Sequence, residues 1–314
     1  MTGYIIRRLL AMIPVLLVVA LVVFAMIHIA PGDPAALIVG THATAEKYEM
    51  IRESMGLNEP MYVQLGIWLG NLVQGDLGES LFGKTSVTKM ISQRIVPTFS
   101  VAAFTLLFAM SVAIPMGILA AWKSNTWIDR SVMIFTTLGY SIPLFWLGFI
   151  LMWGFAVKLN WFPAIGYVAP TENLAKYFYH MILPVFATGL VVMALIGRMT
   201  RATMIETLSE DYIRTARSKG LTETRVLLAH ALRNAILPII TVCGVSLALL
   251  LGGVVVTENV FAIPGMGRLL VNALSHRDYP VIQGTVLVFA AIIAVVNLLI
   301  DLSYGLFDPR IRYK

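Results

Sequence analysis

The chain has one cysteine, Cys243, and no CxxC pair, so an internal disulfide or a thiolate metal site is excluded. Cys243 sits in an apolar run and reads as a small core residue. Charge is scarce: Asp, Glu, Lys and Arg make up 13% of the 314 residues, against about 25% in soluble domains. There is no Walker A loop, no dinucleotide fingerprint, no His-Glu-x-x-His pair and no Ser/His/Asp set that spacing can assemble. The five histidines (His28, His42, His180, His230 and His276) fall on different segments. These absences argue against a hydrolytic or metal centre on this chain.

What is abundant is apolar surface. The hydrophobic fraction is 58% and the mean hydropathy +0.82. A soluble fold of this length cannot hide so much apolar area, so the solvent is a bilayer. The pattern predicts an all-α integral membrane protein with six spans: 9–30, 98–122, 131–157, 178–197, 235–257 and 281–300. The first holds about 22 residues, or about 33 Å at ~1.5 Å per residue, enough for a hydrocarbon core of about 30 Å. It follows Arg7-Arg8, but it is too long for a signal-peptide core, and Ile27-His28-Ile29-Ala30 is no cleavage site. An uncleaved first helix is expected. The net charge of +6 does not point to nucleic acid, because the basic residues flank the apolar spans as topology signals. Fourteen of the 23 basic residues fall on the side shared by both termini. They are Arg7, Arg8, Lys123, Arg130, Arg310, Arg312, Lys314 and the seven within 198–234. Only Lys158, Lys176, Arg268 and Arg277 fall in the short loops opposite. The remaining basic residues lie in the long loop 31–97, which the positive-inside rule discounts. Both termini are therefore expected in the cytoplasm.

Two regions are expected: 1–93, one span plus a long external loop, and 94–314, a five-helix unit. Within the loop, Ala45 to Met55 is helix-like and Gly56 to Pro60 marks a turn. Tyr62, Leu65, Trp68, Leu69 and Leu72 recur at helical spacing, so Met61 to Val73 reads as an amphipathic helix. Its Trp68 face would rest on the outer leaflet or on the ends of the membrane helices. Pro115 and Pro143 lie inside spans, and a hinge or pathway role near Ser141-Ile142-Pro143 stands beside a simple packing role. The segment 258–280 contains Pro264, Gly265 and Gly267, which argue against a regular helix and for a partly buried external cap.

The polar segment 198–234 is the exception in this apolar chain. Ser209 is a candidate N-cap, with Glu210 and Asp211 in a first turn that suits the helix dipole. Lys219 lies in the last turn and Gly220 follows as a stop. Tyr212, Ile213 and Ala216 form an apolar face, while Arg214, Arg217 and Lys219 supply the polar surface. Thr222 is placed to cap a second helix running through Asn234. A helix of this length is marginal alone in water. It must lie on anionic lipid headgroups or dock in the groove of a soluble subunit. His230 reads as packing or hydrogen-bonding beside it rather than as a metal ligand.

The run Asp211-Tyr212-Ile213-Arg214-Thr215-Ala216-Arg217-Ser218-Lys219-Gly220, followed by His230-Ala231-Leu232-Arg233-Asn234-Ala235 and Pro238, resembles the signature of the dipeptide/oligopeptide family of ABC importer permeases. The likeness extends over nearly the whole chain. It takes in Arg7-Arg8-Leu9-Leu10, Pro31-Gly32-Asp33-Pro34, Gly75-Asp76-Leu77-Gly78, Ser141-Ile142-Pro143 and Pro264-Gly265-Met266-Gly267-Arg268-Leu269. Arg277-Asp278-Tyr279-Pro280, Asn297 to Asp301 and Asp308-Pro309-Arg310 complete it. Arg214-Thr215-Ala216 stands where importer permeases generally carry Glu-Ala-Ala, which removes any role for that glutamate.

The resemblance implies a type I importer fold and the first of two permease subunits. It implies as partners a second homologous permease, two cytoplasmic ATPases, an external substrate-binding protein and membrane lipid. ATP and Mg would belong to the ATPases, with no cofactor on this chain. Asp211, Tyr212, Arg214, Thr215, Ala216, Arg217, Lys219, Gly220, His230, Arg233 and Asn234 would couple to the ATPases. Ser141, Pro143, Pro264, Gly265 and Gly267 are pathway or hinge candidates. Di- or oligopeptides are the implied cargo, with glutathione, nickel complexes or another small solute as alternatives. The rivals are an ion-coupled secondary transporter, which would place carboxylates within its spans, and an intramembrane protease. The central spans carry no Asp or Glu, and Asp301 lies at an edge.

Overall fold

A computed structural model describes residues 2–29, 35–36, 45–54 and 56–307, all helices and connecting turns with no strand among them. The motifs at 31–34 and 308–310 and the basic C-terminal residues lie outside the described residues. In chain order the helices are α1 (Thr2–Ile29), α2 (Ala45–Ser54), α3 (Met61–Val73), α4 (Val87–Trp122) and α5 (Trp127–Ser141). They continue with α6 (Leu144–Lys158), α7 (Leu174–Leu208), α8 (Asp211–Ser218), α9 (Glu223–Val260), α10 (Met266–His276) and α11 (Tyr279–Phe307). The last turns of α6 (Met152–Lys158) and the start of α9 (Val226–Ala231) are wound as π-helix.

Among the described residues five helices are long and apolar enough to cross a membrane: α1, α4, α7, α9 and α11. The sixth expected span is not one rod. Between α5 and α6 the chain bends by 101°. Pro143 has no N–H to offer the preceding turn, and its ring drives Ile142 to φ −85°, ψ 125°, outside the helical region. Along the run into the bend, the hydroxyls of Thr136 and Thr137 donate to the Met133 carbonyl and that of Ser141 to the Thr137 carbonyl, bonds that favour bending of a helix. Pro115, by contrast, is carried inside an unbroken α4.

α7 is the central post. Its buried face meets α4 through small residues: Ala109, Ala113, Ala120 and Ala121 are buried on α4. A Cβ placed on Gly117 would lie 2.7 Å from Thr200 and 2.8 Å from the Gly197 carbonyl. Small side chains let two backbones approach where lipid supplies no hydrophobic driving force. α1 stands at the edge and leans on α11, where the Gln283 amide donates to the Val23 carbonyl (3.0 Å). Trp68, Leu69 and Leu72 of α3 pack on Ala20, Val23 and Leu287, so the amphipathic helix rests on α1 and α11.

Two expectations about the connections need correction. The stretch 258–280 is largely helical: Glu258 to Val260 still belong to α9, and α10 is regular. Gly265 and Gly267 do not interrupt α10 because they sit at its N-terminal start, where helical hydrogen bonds are not yet required. Ser209 does not cap α8. It closes α7, its Oγ donating to the Glu206 carbonyl (2.6 Å), and Glu210 occupies the N-cap position of α8 without a side-chain bond.

Candidate functional site

α8 is pinned by its apolar side. Ile213 is fully buried and Ala216 nearly so, in a cluster with Met204 of α7 and Val226, Leu227 and Ala231 of α9. Tyr212, expected on that face, is only partly covered, at 39% exposed, and its hydroxyl accepts a bond from the Asn234 amide (2.7 Å). This link ties α8 to the start of α9 across 22 residues.

The helix ends in a paired carbonyl cap. The Gly220 N–H donates to the Arg217 carbonyl (2.9 Å) and the Leu221 N–H to the Ala216 carbonyl (3.4 Å), with Gly220 at φ +75°. Only glycine takes that left-handed conformation without strain. Beyond it, the Arg217 guanidinium grips the Glu223 carboxylate with two bonds, 2.9 and 3.3 Å. Asp211 and Arg214 approach to 3.4 Å but are almost wholly in solvent. Asp211, Arg214, Thr215, Arg217, Ser218 and Lys219 thus form one exposed polar face on a helix whose other side is locked. Arg233 and Asn234 are exposed beside it, and His230 is half-buried on the π-helical turn.

The other candidates gather elsewhere. Gly265 and Gly267 lie against the carboxylate of Glu258, which has no exposed surface, while Pro264 beside them is exposed. Its Oε1 accepts from the Thr98 hydroxyl (2.5 Å) and its Oε2 from the Arg268 N–H (2.9 Å), while the Met266 N–H donates to the Thr98 oxygen (2.8 Å). The Glu258 carboxylate and the Thr98 hydroxyl it holds therefore together satisfy free donors in the first turn of α10. A Cβ on Gly265 would lie 2.1 Å from the Glu258 carboxyl carbon. The motif's glycines leave room for an acid that sequence reasoning assigned to a loop. Nearby, the Ser80 hydroxyl and the Leu81 N–H both donate to the buried Asp278 carboxylate (2.5 and 3.2 Å). The Gly75–Gly78 and Arg277–Pro280 motifs are thereby brought together.

Ser141 and Pro143 stand at the bend, apart from α8. They meet the Glu258 region indirectly, because Gly148 of α6 packs on Val260 and Phe261. Sequence reasoning also missed Asp129 and Arg201. Asp129, buried at the start of α5, accepts two bonds from the Arg201 guanidinium of α7 (2.5 and 2.7 Å) and one from the Asn125 N–H (3.0 Å). Arg201 was counted only as a topology charge. Among the described residues no group of three or more His, Cys, Asp or Glu side chains is placed to hold a metal.

Family models match along nearly the whole chain. Residues 113–313 match the binding-protein-dependent transport system inner membrane component, and residues 1–102 match the N-terminal region of such membrane components. The chain belongs to this family. It is a multi-pass permease subunit of the ABC importer type, a class without a catalytic site of its own. A probable peptide ABC transporter permease of Sinorhizobium fredii is 44% identical over 99% of both chains. A putative peptide transport system permease of Brucella abortus is 44% identical over the full length of both. The glutathione transport system permease GsiC of Escherichia coli O6:H1 is 43% identical over 100% of both. Among solved structures, an inward-facing MetNI methionine ABC transporter matches with a TM-score of 0.59 at 15% identity. It covers 70% of this chain and 96% of its own. That likeness establishes the importer-permease fold.

Proposed function

We propose that this permease imports di- or oligopeptides, driven by ATP hydrolysis on two cytoplasmic ATPase subunits that grip α8. The observation that carries the reading is the construction of α8: one face buried through Ile213 and Ala216, the other polar, exposed and braced at both ends. A helix held in this way transmits force without unwinding. The fourteen-to-four distribution of basic residues supports an orientation with α8 and both termini in the cytoplasm. Residues 94–314 form the transport unit and pair with a second, homologous permease. Residues 1–93 add an anchor and an external surface on which the binding protein lands. The cargo reading is supported by the peptide permeases among the relatives, and glutathione, itself a small peptide, falls in the same class.

ATP closes the ATPase dimer, the groove around Tyr212 to Gly220 moves as a body, and the permease pair exchanges two packings of its helices. The test uses the complete transporter in proteoliposomes. A photo-crosslinker at Thr215 is expected to capture an ATPase subunit. Arg217→Glu is expected to leave assembly intact, keep ATP hydrolysis and abolish uptake. Capture of no ATPase, or uptake unchanged by Arg217→Glu, would overturn the reading.

A further inference from the structure

α5 and α7 run antiparallel and are fastened at three heights. Near the α8 end, Arg201 holds the Asp129 carboxylate with two bonds. One turn further along α7, the buried Thr136 side chain lies 3.5 Å from a Cβ placed on Gly197. Near the bend, Gly139 sits so close to α7 that a Cβ there would be 2.9 Å from the Leu190 carbonyl. From Asp129 to Gly139 is about 15 Å of helix, and from Arg201 to Leu190 about 17 Å, so the three fastenings are in register. Arg198 adds a cation–π contact, its guanidinium 5.5 Å from the Tyr140 ring.

Beyond the bend the attachment changes. α6 leans on the far ends of both α7 and α9, with Gly148 against Val260 and Phe261, and Leu147 and Leu151 in the cluster that holds Leu250, Val254 and Phe261. The extended pair Ile142–Pro143 therefore lies where the fastening of this span passes from α7 alone to α7 and α9 together.

We propose that Asp129 and Arg201 are positioning residues for transport: their pair makes α5 follow α7, so that movement imposed at α8 reaches the Ile142–Pro143 joint. α7 is one continuous helix from Leu174 to Leu208, and α8 follows after a break of two residues, so Arg201 lies within about three turns of the driven segment. The pair is buried on the acid's side and bidentate, which gives it one geometry rather than many. Without it, the lower half of α5 is free to lag behind α7. Besides the Arg198–Tyr140 cation–π contact, the other fastenings between the two helices are made by small uncharged groups. This inference rests on α8 being the ATPase contact.

The test measures distances between spin labels in the complete transporter, with and without trapped ATP. The only native cysteine, Cys243, is buried and does not compete for label. Labels at the exposed Ile134 of α5 and Met199 of α7 are expected to keep one distance in both states. Labels at Ile134 and the exposed Trp153 of α6, across the joint, are expected to change distance. Asp129→Asn is expected to make the first distance state-dependent and to lower uptake per ATP hydrolysed about tenfold, with Asp129→Glu recovering most of it. An Ile134–Met199 distance that shifts with nucleotide in the unsubstituted chain would overturn the inference, as would an Ile134–Trp153 distance that does not. Both measurements stand even where Asp129→Asn fails to assemble. Unchanged uptake per ATP in Asp129→Asn, with the Thr215 crosslink to an ATPase intact, overturns this inference alone. Loss of the crosslink instead removes the reading of α8 beneath it.

Discussion

α8 and α10 are both short helices between long ones, both bordered by an essential glycine, and they are built in opposite ways. α8 buries two side chains and leaves its charged face in water. α10 buries Met266, Gly267, Leu269 and Ala273, and its first N–H groups are consumed by Glu258 and Thr98. Gly220 is required by backbone conformation, since nothing lies within 4 Å of a Cβ placed there. Gly265 is required by space, since a Cβ there would overlap a carboxylate. One connection is finished within the chain. The other keeps its side-chain bonds local and in solvent: Thr215 to the Asp211 carbonyl, Ser218 to the Arg214 carbonyl and Arg217 to Glu223. A surface buried within the chain suits a cap, and a braced but solvent-exposed one suits a partner.

The comparison can be broken by substitution. The largest effect is expected from Gly265→Ala. Overpacking costs about 1–3 kcal/mol, and displacing Glu258 leaves the Thr98 hydroxyl and the Arg268 N–H unpaired at about 1–3 kcal/mol each. A loss of about 4 kcal/mol or more is expected, seen as poor yield and a sharply lowered unfolding midpoint in detergent. Ile213→Ala comes next, at about 3 kcal/mol for a fully buried side chain. Its signature is protease cleavage within 209–222 in a chain whose spans remain folded. Gly220→Ala is expected to cost about 1 kcal/mol, because alanine adopts a left-handed conformation with strain but without collision. Arg217→Ala is expected to lower stability by about 0.5 kcal/mol at most, since the Arg217–Glu223 pair is 41% and 43% exposed. A stability loss at Gly220 equal to that at Gly265 would erase the distinction. A large stability loss in Arg217→Ala would turn the exposed face of α8 into a structural one.

Much of this was legible in the residues. The long apolar runs, the amphipathic helix at 61–73 and the stop at Gly220 follow from periodicity and from the special geometry of glycine. The bend at Pro143 was harder, because the same residue type lies inside α4 at Pro115 without breaking it. What differs is local: three hydroxyls, at 136, 137 and 141, bond carbonyls of the helix leading into Pro143, against one, Ser111 to Phe108, just before Pro115. Glu258 was misplaced because one acid next to a proline and two glycines reads as a loop until its hydrogen bonds are seen.

By itself the chain determined its solvent, its long apolar helices and the position of its polar segment. These depend on composition and on spacing along a helix, which are local properties. Only the tertiary structure decided which charges are partners. Asp129 and Arg201 are 72 residues apart, and Glu258 and Thr98 are 160 apart. Nothing in a one-dimensional pattern marks two groups that packing brings within hydrogen-bonding distance, yet burying a charge without such a partner is too costly for the fold to leave it unmet.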